Sequence, residues 1–281
     1  MAESRTTRRQ HARRHGRRAA VIAAGTFALL FAVVAVGGWL RDSDDSRAAP
    51  APSSTTTSTT VAPVEPPTIA TTTVEVLEVR AEPSAAAPSI ASLAPTTEYG
   101  FPTTMLVDST LADSAPGWVP VLVPFHKPNS TVGWASADEV TLAETTYEIR
   151  ISLSRHELVF LNSGEPVLST SVILGTSETP TPPGRFYVTD PLNCGVEGAP
   201  GYPVSVCDEA YGAFAIGISG LSEALDSFKG TIPQLAVHGT NLPGTELGKD
   251  LSNGCVRIPN DIVLAIARAT PLLGVPVTIT A

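Results

Sequence analysis

Ala19–Leu40 runs for 22 residues without one charged side chain, which is too long and too uniform to be one face of an amphipathic element. As a helix it would extend about 33 Å, enough to cross a hydrocarbon layer of roughly 30 Å. Residues 1–18 hold seven arginines against Glu3 alone, while Asp42, Asp44 and Asp45 follow the apolar run. The positive-inside rule then sets a basic tail (1–18) in the cytoplasm, a transmembrane helix (19–40) and everything later outside. A cleaved signal peptide is the other reading, with Ala48-Ala49-Pro50-Ala51 as the place to cut. The run exceeds the roughly 7–15 apolar residues of such peptides, which favours an uncleaved anchor. No cysteine follows it for lipid attachment, and Arg8-Arg9 lies far from it.

The net charge is −9, and the basic tail hides a stronger acidity of about −15 over residues 19–281. That balance opposes a nucleic-acid partner, and the arginines are explained by the adjacent span. Residues 41–72 read as a linker, because Ser46–Thr72 is dominated by Ala, Pro, Ser and Thr with Arg47 and Glu65 its only charges. Such a segment buries too little apolar surface to offset its ordering entropy, and it reaches at most roughly 80 Å.

From 73 to 144 the chain shows short apolar runs cut by turns: Val74–Val79 alternates, Thr104–Val107 and Trp118–Val123 follow, and Pro128-Asn129-Ser130-Thr131 turns into Val132-Gly133-Trp134. Pro120 suggests an edge strand or a bulge. The pattern indicates a small barrel, and Gly117–Leu142 resembles the end of a bacterial SH3-like domain. Trp118 and Trp134 would either line a peptide-binding groove or fill its core; the scarcity of other large side chains favours the core for at least one.

Residues 145–281 carry longer period-two runs. Tyr147, Ile149, Ile151 and Leu153 alternate with polar residues, and Leu158–Leu161 and Glu165–Leu174 flank the turn Asn162-Ser163-Gly164. Further strands are expected at Tyr211–Ile216, Gln234–Val237 and Val275–Ile279, with one short helix that Asn260 would cap, running to Arg268 ahead of Pro271.

Three cysteines outside the membrane are an odd number. Cys194 and Cys207, 13 apart in a Gly- and Pro-rich stretch, would pair in an oxidising compartment. Cys255 is then left free in Ser252-Asn253-Gly254-Cys255-Val256-Arg257, 17 residues after His238-Gly239-Thr240. A thiol beside an imidazole is what acyl transfer needs: the sulfur attacks as thiolate and the ring takes the proton or lowers the thiol pKa as imidazolium. Glycines 239, 244, 248 and 254 would let the loop fold back by accepting positive φ. Two ligands are too few for zinc, so no metal or cofactor is expected.

The His-Gly-Thr and Ser-x-Gly-Cys-x-Arg stretches, with Thr181-Pro182-Pro183-Gly184 some 70 residues upstream of the cysteine, resemble the YkuD-type L,D-transpeptidases over residues 147–281. Asn253 departs from the family's usual histidine; the proton-transfer role there belongs to the earlier histidine, here His238. The resemblance implies a mainly β fold, with a β-sandwich catalytic domain and one short helix behind the SH3-like barrel. It also implies a peptidoglycan transpeptidase forming 3→3 links through a Cys255 thioester. Stem peptides would be donor and acceptor, Gly239 would orient His238, and the amides of Gly254 and Cys255 would hold the oxyanion. Ser252 and Asn253 would shape the substrate-binding turn. Arg257 would bind a stem carboxylate or form a structural ion pair. The alternatives are an L,D-carboxypeptidase or protein-to-wall ligase with the same nucleophile, or a non-catalytic wall anchor.

Overall fold

The computed structural model describes residues 65–281 except residue 206. The basic tail, the expected membrane span and most of the linker therefore lie outside the described residues. Among the described residues no helix is long and apolar enough to cross a membrane.

The N-terminal β region begins with a strand that falls inside the expected linker. β1 (Thr68–Thr72) pairs antiparallel with β4 (Thr104–Leu106) and with β7 (Val140–Glu144). Thr-Ile-Ala-Thr-Thr reads as linker by composition, but β-branched residues suit a pleated surface, and Ala70 and Thr72 are buried. The linker thus ends before Thr68. A second sheet orders β3 (Ser89–Leu93), β2 (Leu77–Arg80), β6 (Val132–Ser136) and β5 (Trp118–Leu122), which leaves Pro120 on an edge strand as expected.

Leu77, Val79, Met105, Val121 and Ala135 build the core of this region. Trp118 and Trp134 are half-buried and out of phase with buried Val119, Val121 and Ala135, so neither tryptophan belongs to that core. The preference for a core tryptophan is corrected: small aliphatic residues fill the interior.

The C-terminal region is one long sheet path. Its order is β10 (Glu165–Ser171), β9 (Glu157–Asn162), β8 (Tyr147–Ser152), β18 (Pro276–Thr280), β12 (Gly184–Asn193), β14 (Phe214–Leu221), β15 (Gln234–Thr240) and β17 (Val256–Pro259). β13 (Tyr202–Pro203) adds to β12, and β11 (Leu174–Gly175) pairs separately with β16 (Asp250–Ser252). Leu158 and Phe160 from one end of the path share a core with Val256 and Ile258 from the other, so the sheet closes over its own interior. The helix α1 (Asn260–Ala269) adds Val263, Ile266 and Ala267 to the same core.

β12 joins everything. Its first half pairs with β18 and its second half with β14, and Tyr187 is buried in the core of the N-terminal region, donating its hydroxyl to the Leu122 carbonyl at 3.3 Å. Arg185 reaches buried Asp108 at 3.1 Å, and the Asn129 amide holds the Leu221 carbonyl at 2.8 Å.

Candidate active site

Three local devices build the nucleophile's turn. Ser252, fully buried, accepts the Gly254 N–H at 3.1 Å and donates to the Cys255 carbonyl. Thr181 donates to the Gly254 carbonyl at 2.8 Å while accepting the Gly175 N–H at 2.9 Å, so the Thr-Pro-Pro-Gly turn clasps the cysteine loop from behind. Gly254 itself sits at φ 113°, where a side chain would be strained. One expectation holds here and one changes. Ser252 shapes the turn as expected but does so fully buried, with its hydroxyl committed to the loop's own backbone, and the Gly254 amide is engaged by Ser252 and so is not free for an oxyanion. Gly248 does adopt positive φ, but neither Gly239 nor Gly244 does.

His238 lies inside β15 and is not at its end. In the parallel pairing of β15 with β17, Val237 stands opposite Val256 and His238 opposite Arg257. Alternation by two therefore puts Cys255, Arg257 and His238 on one face, and all three line one cavity with Asn253. Cys194 and Cys207 form a disulfide, and Cys255 is the free cysteine among the described residues.

The histidine is 3% exposed, and its Nδ1 lies 2.7 Å from the Gly239 carbonyl. A carbonyl only accepts, so Nδ1 carries the proton and Nε2 is left as the ring's acceptor. Burial pushes the imidazole down to about 4; the Gly239 carbonyl opposes the shift and the Arg257 charge adds to it. Burial likewise pushes the Cys255 thiol up, against a backbone hydrogen bond from Ala236 and the charge of Arg257. The resting pair at neutral pH is therefore thiol and neutral imidazole, not thiolate and imidazolium.

Asn260 does not cap α1, which starts without a side-chain cap. Its Oδ1 instead accepts the Ala213 N–H at 2.8 Å and its amide donates to Asn241 at 2.9 Å. A Cβ on Gly239 would run into that Oδ1, so the glycine beside the histidine is required by close approach and not by φ. Arg257 forms no ion pair among the described residues, and its buried Nε has no partner. The ion-pair alternative for Arg257 falls away.

Motif reading missed the cavity's other wall. Tyr211 tilts against His238 with ring centroids 5.0 Å apart, and Lys229 lies 5.4 Å from the Tyr211 ring while paired to Asp208. Phe228 and Gln234 complete it. Only the crowding of Tyr211 between the disulfide and Gly212 hinted at a fixed aromatic there.

Residues 146–279 match the family model described as the YkuD L,D-transpeptidase catalytic domain. This region is a YkuD domain. Among solved structures, the chain is similar to the Ldtfm–avibactam carbamoyl enzyme (21% identity, 48% of this chain and 49% of that one, TM-score 0.36). It is similar to Bdellovibrio bacteriovorus Bd1075 (18%, 48% and 47%, TM-score 0.36). It is also similar to L,D-transpeptidase 3 from Mycobacterium tuberculosis with a faropenem-derived adduct (18%, 58% and 91%, TM-score 0.38). The chain spans about half the length of the first two. The YkuD assignment rests on the family-model match over residues 146–279. No curated protein matches.

Proposed function

We propose that the protein is a peptidoglycan L,D-transpeptidase working through a Cys255 thioester. The observation that carries this is the unpaired Cys255, at the entry to β17, lining one cavity with a buried neutral His238 of β15 whose Nδ1 is held by Gly239. His238 takes the thiol proton as sulfur attacks the carbonyl of the stem's L-centre, and returns it to the departing D-alanine amine. The incoming amine of a second stem then loses its proton to His238 as it displaces sulfur. The Cys255 amide takes the oxyanion role, since Gly254 is engaged elsewhere. Arg257, a guanidinium without an ion-pair partner, takes the stem carboxylate.

The wider reading keeps Ala19–Leu40 as a single-pass anchor with the N-terminus in the cytoplasm and the enzyme facing the wall, the N-terminal β region being SH3-like. Intact mass after incubation with a carbapenem tests the chemistry: one adduct on the protein, none on Cys255→Ala. Muropeptides from cells with and without the protein test the product, expected as 3→3 links.

A further inference from the structure

A second cavity lies beside the first, and the two share Tyr211, Phe228, Gln234 and Leu235 as a common wall. Their charges are opposite. The charged side chains lining the first are Arg257, which has no ion-pair partner among the described residues, and Lys229, which is paired to Asp208; no carboxylate lines it. The one charged side chain lining the second is Glu98, which with Tyr99 comes from the N-terminal β region. Behind two of that cavity's lining residues, Gly217 and Gln234, lies Asp190, 2% exposed. Its Oδ2 accepts from Gln234 at 3.1 Å, while its buried Oδ1 has no partner. Gly217, which lines the cavity, packs closely on Asp190: a Cβ on it would come within 3.2 Å of the Asp190 Cβ. A buried carboxyl oxygen without a hydrogen-bond partner is costly, and a donor brought to this side of the sheet relieves it.

The wall is built and not incidental. The Thr97 and Gly100 amides close the turn onto Phe101 and Thr97, and Phe101 packs against Tyr202 of the disulfide loop with ring centroids 4.7 Å apart. Phe101 also shares a small core with Leu192 and Ala215. Burial, then the neighbouring Glu98 carboxylate, pushes the Tyr99 hydroxyl up to about 12, so it stays a proton donor.

We propose that the cavity walled by Glu98 and Tyr99 receives the cationic amine of the acceptor stem before it attacks the Cys255 thioester. This rests on the transpeptidase reading and deepens it. The donor is recognised by its carboxylates and suits the basic cavity; the acceptor approaches as an ammonium and suits the acidic one. In the transfer step the amine, having given one proton to bulk water, bonds through nitrogen to the thioester carbonyl. The carbon–sulfur bond breaks, and the remaining excess proton passes by His238 to the leaving sulfur.

The test uses the full chain with a tetrapeptide donor and an amine-bearing stem acceptor, measuring carbapenem acylation, acceptor KM and the ratio of cross-linked dimer to hydrolysed tripeptide. Glu98 is exposed, so its variants fold. For Glu98→Gln the expected result is an unchanged acylation rate, an acceptor KM raised about five- to tenfold and a shift toward hydrolysis. Glu98→Asp recovers most of the loss and Glu98→Lys deepens it. An unchanged KM and ratio in Glu98→Gln overturns the proposal, as does acylation falling in step with cross-linking, which would assign the cavity to the donor. Absence of any adduct on the unaltered protein rejects the acyltransferase reading itself, and the subsite with it.

Discussion

The N-terminal β region and the YkuD domain use the same material, short twisted strands with one buried face, and differ in what else they bury. In the first, the interior is mainly aliphatic around the one ring of Tyr187, and its buried carboxylate, Asp108, is directed out of the region to Arg185. In the second, His238, Ser252, Thr181 and Asp190 lie inside the shell that also holds Phe214 and Val237. Aliphatic burial stabilises without directing chemistry. Buried polar groups are costly unless partners are supplied, and the partners supplied to Ser252, Thr181 and His238 fix a nucleophile's turn and a base's tautomer.

The strongest way to break this contrast is at the reacting pair. Cys255→Ala should lose thioester formation entirely, and His238→Gln should slow acylation by roughly 10²–10⁴-fold, both with little change in melting temperature. Leu77→Ala should do the reverse, costing about 2–5 kcal/mol in denaturant unfolding while the folded fraction acylates at the normal rate.

Acid sharpens the contrast next. The His238 pKa is depressed in the folded state relative to an unfolded value near 6.5, so its contribution is intact above that pH and is lost as pH falls toward about 4. The expected loss is about 3 kcal/mol, read as melting temperature against pH, and His238→Gln should flatten it. Ser252→Ala should cost about 1–3 kcal/mol by orphaning the Gly254 amide, and unlike a core truncation it should slow acylation as well. Tyr187→Phe, smallest of these, should cost about 1 kcal/mol and leave acylation unchanged.

What was legible in the sequence follows the same division. Period-two runs located the strands around Ile149, Leu158 and Val277, and counting cysteines separated Cys255 from the disulfide pair, because burial of one face and pairing by compartment are local signals. β1 was hidden because Thr and Pro near it read as linker. The duties of Ser252 and Asn260 were hidden because the same side chain that caps or turns locally can be recruited by a backbone group far away, as Ala213 recruits Asn260. Gln234 reaches the site from β15 four residues before His238, while Tyr211 and Lys229 come from the connections on either side of β14, whose course no motif spacing encodes.

Tyr187 stands in the interior of one region while its backbone is part of the other's sheet. A fragment begun at Thr146 would carry that ring, and the Arg185 charge beside it, bare into solvent, and would lose the Glu98 wall as well. Engineering or inhibitor work on the enzyme should therefore keep everything from Thr68 onward in a single piece, since the two regions share one keystone and trimming at their sequence boundary cuts through it.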